Sequence, residues 1–302
     1  MSRRLRHLLG IDDLGRAGVE AMLARAAEHK WALSLGQKSS ALAGVMVATV
    51  FFEDSTRTRS SFEIAAANLG AHVLSWSAKG SSVSKGETLL DTARTLDALG
   101  PCALVIRHSS SGAPHLVARH VRAAVVNAGD GTNEHPSQAL LDALTLRERL
   151  ATLEGKRVVI AGDVLHSRVA RSNIRALSLL GAKVVLCGPP TLLPAGAEAM
   201  GCEVSSDFDR ALEGADAVMV LRIQLERMGE AVFPSAREYQ RHWGLNAARA
   251  SRLPPWAPVL HPGPINRGVE LSSEVADGPR SAILDQVANG VAVRMAILEA
   301  CA

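Results

Sequence analysis

The sequence predicts an α/β protein made of two doubly wound parallel-sheet domains joined by long helices. Three observations carry this. Short apolar runs rich in β-branched residues alternate with longer amphipathic segments, which is the pattern of β-α-β units. That alternation occurs twice, before and after a helical stretch near residue 140. The chain has 302 residues, which suits two domains at roughly 100–200 residues each.

The elements follow in order. Asp12 to Leu35 carries Leu14, Val19, Met22, Leu23 and Ala26 at helical spacing. Val45 to Glu53 is a continuous apolar run, as expected of a parallel strand buried on both faces. Ser55 to Leu69 predicts a helix stopped by Gly70, which tolerates the left-handed position after a helix. Ala71 to Ser75 is the next strand. Ser77 to Gly86 is rich in Gly and Ser and predicts a mobile loop. Glu87 to Leu99 is helical, and Ala103 to Arg107 and Ala123 to Asn127 are short buried strands. Ser137 to Leu150 is a long helix leaving the first domain. In the second, Arg157 to Asp163 is a strand, Arg168 to Leu180 a helix and Lys183 to Cys187 a strand. Ala215 to Leu221 and Val259 to Leu260 continue that sheet. Gln224 to Pro258, with mixed charge and several prolines, is expected to be a long loop with short helices. Ser281 to Ala302 is a closing helix that packs back on the first domain. The expected boundaries are 1–135 with helix 284–302 for the first domain and 136–283 for the second.

Composition narrows the class of partner. The net charge is +3, and the single Tyr leaves little for stacking against bases. Nucleic-acid binding wants a clustered basic face, whereas these arginines are scattered among acids. A small positive excess suits small anionic substrates. Cys102, Cys187, Cys202 and Cys301 form no C-x-x-C pair and sit beside no His at metal-ligand spacing. They are expected to be reduced, mostly buried thiols, with no metal bound. The basic start Ser2-Arg3-Arg4-Leu5-Arg6 is followed too soon by Gly10-Ile11-Asp12-Asp13 to make an export signal. Ala41 to Phe52, the longest apolar stretch, is too short to cross a bilayer. A cytoplasmic protein without a membrane segment is expected.

The chemistry concentrates first in Phe51-Phe52-Glu53-Asp54-Ser55-Thr56-Arg57-Thr58-Arg59-Ser60-Ser61-Phe62-Glu63. This segment leaves a strand and opens a helix. Free N–H groups and the macrodipole favour an anion there. Ser55, Thr56 and Thr58 add hydroxyl donors, and Arg57 adds a planar fork suited to phosphate. The plainer alternative is a capped helix with surface arginines. Ser55 as a nucleophile is disfavoured, because no Gly-x-Ser-x-Gly elbow surrounds it.

Five further motifs follow in order: Ser82-Val83-Ser84-Lys85-Gly86-Glu87, Arg107-His108, His135-Pro136-Ser137-Gln138, Arg222-Ile223-Gln224-Leu225-Glu226-Arg227 and His261-Pro262-Gly263-Pro264. With the Ser-Thr-Arg-Thr-Arg segment they resemble the transcarbamoylase family, in register and over the whole chain. The resemblance is to the aspartate type. The ornithine type carries Cys where Pro262 stands. Lys85, Arg168 and the Arg222-x-Gln224 pair are suited to a dicarboxylate and would repel a cationic ornithine side chain.

The resemblance implies an active site in the cleft between the domains and transfer of the carbamoyl group of carbamoyl phosphate to L-aspartate. The products are N-carbamoyl-L-aspartate and phosphate, in pyrimidine biosynthesis, with no cofactor. It implies that Ser55, Thr56, Arg57 and Thr58 hold the phosphate and that Arg107 bridges phosphate and carbonyl. Thr58, Arg107 and His135 stabilise the oxyanion, while Gln138 and the backbone of Pro262 and Gly263 hold the carbamoyl amide. Arg168, Arg222 and Gln224 bind the aspartate carboxylates. Ser82 and Lys85 reach in from a neighbouring subunit of a homotrimer, the choice among Ser81, Ser82 and Ser84 staying open. So does a larger assembly with a regulatory or dihydroorotase-like chain. Two departures stand out: Ser137 where Thr is usual, and Gly263 where some relatives carry a bulkier residue.

Three alternatives remain: another amine such as ornithine, a non-catalytic scaffold, and a nicotinamide-dependent oxidoreductase. The last is weakened at Val158 to Gly188. There the strand leads into Ala161-Gly162-Asp163-Val164-Leu165-His166 and not G-x-G-x-x-G. Taken singly, Arg168 fits a helix-surface ion pair and Lys85 a solvated loop.

Overall fold

The computed structural model describes residues 5–79, 86–223 and 235–302. The chain divides into two compact units. The first runs to Leu141 and takes back Val287–Ala302; the second is Asp142–Gln286. Both divisions fall inside helices and lie a little further along the chain than 135/136 and 283/284.

In the first unit, α1 (Gly15–Ser34) is followed by β1 (Met46–Phe51), α2 (Thr56–Asn68), β2 (His72–Ser77), α3 (Leu89–Ala98), β3 (Ala103–His108), α4 (Ala113–Ala118), β4 (Ala124–Asp130) and the start of α5 (Pro136–Leu150), which from Asp142 on belongs to the second unit. The four strands are parallel in the order β2-β1-β3-β4. The central strands are buried on both faces, which is why β1 reads as an unbroken apolar run. Ala48, Val50, Leu104, Ile106 and Val125 form the core of one face. Phe62 of α2 is fully buried, a contribution of roughly 1.5–3 kcal/mol for a side chain of this kind. Edge strand β2 is largely exposed.

The second unit contains β5 (Arg157–Ala161), α6 (Arg168–Leu179), β6 (Lys183–Cys187), β7 (Glu203–Ser205), α7 (Phe208–Ala211), β8 (Ala217–Val220), α8 (Ala236–Trp243), α9 (Ala247–Ala250), β9 (Val259–Leu260), α10 (Ser273–Ala276) and the first turn of α11 (Ile283–Cys301), which from Val287 on belongs to the first unit. Its sheet is parallel, in the order β7-β6-β5-β8-β9. At the end of β5, Gly162 has φ +124°, and a Cβ there would lie 3.1 Å from the Leu221 carbonyl oxygen. Glycine is needed where β5 gives way to its loop.

Each sheet therefore has a switch point, where successive strands leave in opposite directions: between β1 and β3 in one, and between β5 and β8 in the other. Crevices outside the carboxyl ends of strands at such points are where open α/β sheets bind ligands.

Several elements depart from the pattern read along the chain. Helix α1 starts at Gly15 and not Asp12. The preceding residues Ile11–Asp13 form a 3-10 turn, and the Asp13 carboxylate accepts N–H groups from Leu9 and Gly10 at 2.7 and 3.0 Å. Strand β7, with three residues, and helices α7 and α10, with four each, are too short to carry a periodicity. All four cysteines are free, three buried and Cys102 half-buried. Burial pushes the Cys187 thiol up to about 12. Among the described residues, no helix is long and apolar enough to cross a membrane.

Candidate functional site

Among the described residues, the predicted ones fall into two clusters, one in each unit, at the carboxyl ends of the strands. In the first unit, Ser55 occupies the N-cap of α2 in extended conformation, and its side chain makes no capping hydrogen bond. The capped-helix alternative fails on this point. Thr56 and Arg57 are exposed, Ser55 is half-buried and Thr58 is buried. The helix is stiffened beneath them, with the Ser61 hydroxyl donating to the Arg57 carbonyl at 2.7 Å. The second arginine of the motif packs on the strand, its Arg59 guanidinium 5.2 Å from the centre of the Phe51 ring. Glu63 ties the helix to the sheet, accepting from Thr49 at 3.2 Å and Ser75 at 2.6 Å.

Arg107 comes from the end of β3, directly beside Phe51 at the end of β1. Its Nε lies 3.5 Å from Glu53 Oε2, and its Nη1 donates to the Ala128 carbonyl at 3.4 Å. Both Arg107 and Glu53 are about five-sixths buried, at 15% and 16% exposure. The guanidinium is thus held across the switch point, between the loop after β1 and the end of β4. Beside it, burial lowers the pKa of His108, against the pull of Glu53 and Asp130.

His135 and Gln138 stand at the start of α5, both buried. The His135 carbonyl accepts the Gln138 N–H at 3.0 Å, and Ser137 Oγ lies 3.5 Å from His135 Nδ1. The loop that carries them is organised by a residue that the motifs did not reveal. Asp130 is fully buried and accepts from Gly112 N–H at 2.6 Å, Asn127 Nδ2 at 2.9 Å, Asn133 Nδ2 at 3.1 Å and Glu134 N–H at 3.1 Å. Such a carboxylate is tolerable only because its oxygens are so fully satisfied. Gly131 completes the turn, since a Cβ there would fall 2.6 Å from the Ser111 backbone nitrogen. The available signal was a pair of polar residues, Asn127 and Asp130, at the end of an apolar strand.

In the second unit, Arg168 is the first residue of α6 and is only 9% exposed. A cation at a helix N-terminus opposes the macrodipole, so this position costs stability unless an anion accompanies it. Ser167 caps the helix, accepting from Ala170 N–H at 3.1 Å. Asp163 fixes the turn before it, accepting from His166 N–H at 3.1 Å with the His166 ring Nδ1 at 3.0 Å. Burial pushes the Asp163 carboxyl above the usual carboxylate range, and those His166 contacts oppose the shift.

Arg222 follows β8 between two fixed neighbours. The Leu221 N–H donates to the Ala161 carbonyl at 2.7 Å, and Ile223 is fully buried against Leu192 and Tyr239. After β9, the buried His261 accepts the Gly263 N–H on Nδ1 at 2.8 Å. Its proton therefore sits on Nε2, which faces Glu270 Oε1 at 3.3 Å. With the Gly263 N–H used and Pro262 having none, a ligand there meets carbonyl acceptors. The His261 N–H donates to Gln286 at 2.9 Å, and Gln286 in turn donates to the buried Asp142 at 2.7 Å. Gln224, Ser81, Ser82, Ser84 and Lys85 lie outside the described residues.

Comparison with known proteins gives a consistent result. The model for the carbamoyl-P binding domain of aspartate/ornithine carbamoyltransferase matches residues 6–148, and that for the Asp/Orn binding domain matches 154–301. An aspartate carbamoyltransferase catalytic subunit of Myxococcus xanthus is 63% identical over 298 residues, covering 98% of this chain and 99% of its own. That of Anaeromyxobacter sp. (strain K) is 59% identical over 300 residues, covering 99% and 96%. The crystal structure of aspartate transcarbamoylase from Trypanosoma cruzi, in complex with carbamoyl phosphate and aspartate, superposes with a TM-score of 0.91 at 30% identity, covering 98% and 97%. An ornithine carbamoyltransferase from Pyrococcus furiosus superposes with a TM-score of 0.87, also at 30% identity, covering 99% and 97%. The fold is common to both amines and does not choose between them.

Proposed function

This chain belongs to the aspartate/ornithine carbamoyltransferase family, and we propose that it transfers the carbamoyl group of carbamoyl phosphate to the α-amine of L-aspartate. The observation that carries this is the set Ser55 to Thr58, Arg107 and His135 at the carboxyl ends of β1, β3 and β4. The Pro262 position and the cations of the second unit select the aspartate branch, and the Myxococcus xanthus relative supports that choice.

In the first unit, Ser55, Thr56, Arg57 and Thr58 hold the phosphate through hydroxyls, guanidinium and the free N–H groups of α2. Thr58, Arg107 and His135 meet the negative charge that develops on the carbonyl oxygen, and Gln138 meets the carbamoyl amide. In the second unit, the Pro262 and Gly263 carbonyls accept from that amide, and Arg168, Arg222 and Gln224 hold the carboxylates. Lys85 and Ser82 come from a neighbouring copy in a trimer, a reading that rests on the family resemblance. Placement in the cytoplasm rests on the four free cysteines, and a larger assembly with a regulatory or dihydroorotase-like chain stays open.

The chemistry suits this inventory. The amine lone pair attacks the carbonyl carbon, the C=O electrons move to oxygen, and the C–O bond to phosphate then breaks. Phosphate is a good leaving group and can take the amine proton. The protein must orient two anionic substrates and stabilise the oxyanion. The test is the purified chain with carbamoyl phosphate and L-aspartate. Equal amounts of N-carbamoyl-L-aspartate and phosphate are expected. Phosphate release without the carbamoylated amine would refute the proposal.

A further inference from the structure

In the second unit, a chain of three contacts ends in a bond from the loop after β9 to the segment after β8. The Asn266 N–H donates to Glu270 Oε1 at 2.5 Å, and the same oxygen faces His261 Nε2 at 3.3 Å. The Asn266 side chain then donates through Nδ2 to the Ile223 carbonyl at 2.9 Å. Glu270 and His261 are fully buried, so this post stands on groups with little freedom to move. Ile223 is pinned a second way, by its side chain against Leu192 and Tyr239. Arg222 is the residue between Ile223 and the anchored Leu221.

We infer that Asn266 is a positioning residue for the amino-acid substrate. Its amide ties down the backbone that aims Arg222, and its own backbone is fastened to the Glu270–His261 pair below the Pro262–Gly263 loop. The inference rests on the proposed role of Arg222 in holding a substrate carboxylate. Through this one side chain, the loop offered to the carbamoyl amide and the cation offered to the dicarboxylate share a support. A guanidinium gains most from a carboxylate when its fork is held in the bidentate geometry. Loosening its backbone therefore weakens substrate binding without removing any charge.

Asn266→Asp keeps the size of the side chain and its N–H to Glu270 but replaces the amide donor with an acceptor. Asn266→Ala removes the donor without adding charge, and serves if the first variant does not fold. Steady-state kinetics with both substrates varied, alongside thermal melting, give the reading. The KM for aspartate should rise about tenfold. The KM for carbamoyl phosphate should stay within about twofold, and kcat should fall less than the aspartate KM rises. A residue that merely braces the fold would lower Tm and active-enzyme content and leave both KM values alone. That outcome, or a parallel rise in both, would overturn the inference. A wild-type chain that does not carbamoylate aspartate would overturn the functional proposal and this inference together. An active wild type with unchanged variants would overturn the inference alone.

Discussion

The two clusters are built on opposite plans. In the first unit, the proposed phosphate ligands are nearly contiguous, from Ser55 to Thr58, and one strand-to-helix turn places them. In the second, Arg168, Arg222 and the Pro262–Gly263 loop follow three different strands, β5, β8 and β9. Their placement depends on side chains outside the proposed ligand set, such as Asp163, Glu270 and Asn266. A contiguous cradle needs only its own backbone conformation. A dispersed one needs buried polar ties, and each tie is a place where affinity can be lost without touching a ligand.

Substitutions can break this contrast. The largest effect is expected in the first cluster. Arg57→Ala should lower kcat by about 10²–10³-fold, and Arg107→Ala by a similar factor. Arg57 is exposed, so its variant should melt close to wild type. Near-normal turnover in either purified variant would remove that residue from the proposed site.

A smaller, substrate-selective effect is expected in the second cluster. Arg222→Ala or Arg168→Ala should raise the KM for aspartate about ten- to a hundredfold, the loss of a charged hydrogen-bonding partner, with carbamoyl phosphate binding preserved in calorimetry. Equal loss of both substrates would mean that the two clusters do not divide the substrates as proposed.

The first cluster also has a buried tie at Asp130, which sharpens the comparison. Asp130→Asn keeps the shape but exchanges a charged acceptor for a neutral amide among four donors. It should cost about 2 kcal/mol of stability. It should also lower kcat beyond the fraction unfolded, because the loop to His135 loosens. Unaltered kcat per folded molecule would confine Asp130 to stability.

The smallest effect is a control on side chains that belong to neither cluster. Glu299 on α11 accepts from Arg25 on α1 at 2.7 Å and meets His29 Nε2 at 2.8 Å. Arg25 above all, with His29, holds the Glu299 carboxyl below its ordinary value of 4.5, against the effect of burial. The stabilisation is therefore present above pH 4.5 and is lost as pH falls through the lowered value. Being partly exposed, the pair contributes less than about 1 kcal/mol. Glu299→Gln should melt slightly lower than wild type at neutral pH, with the gap closing in acid and neither KM changed.

What was legible in the sequence follows the same contrast. Strands buried on both faces, such as β1, announce themselves as apolar runs. The phosphate segment announces itself because hydroxyls and arginine crowd the first turn of a helix. The role of Arg59 was not legible, since stacking on Phe51 is decided by packing across the strand end. Nor were Asp130, Asn266 and Glu270. A buried carboxylate and a surface one look alike in a sequence, and only the fold brings the donors around them. Short elements such as α7 and α10, one turn each, were invisible for want of a period.

The most direct test of the whole account offers the purified chain carbamoyl phosphate with equal L-aspartate and L-ornithine in one mixture and separates the products by mass. The account predicts N-carbamoyl-L-aspartate with no more than a trace of citrulline, because Arg168 and Arg222 attract a dicarboxylate and repel an ammonium group. Citrulline as the main product would contradict the reading of the second unit.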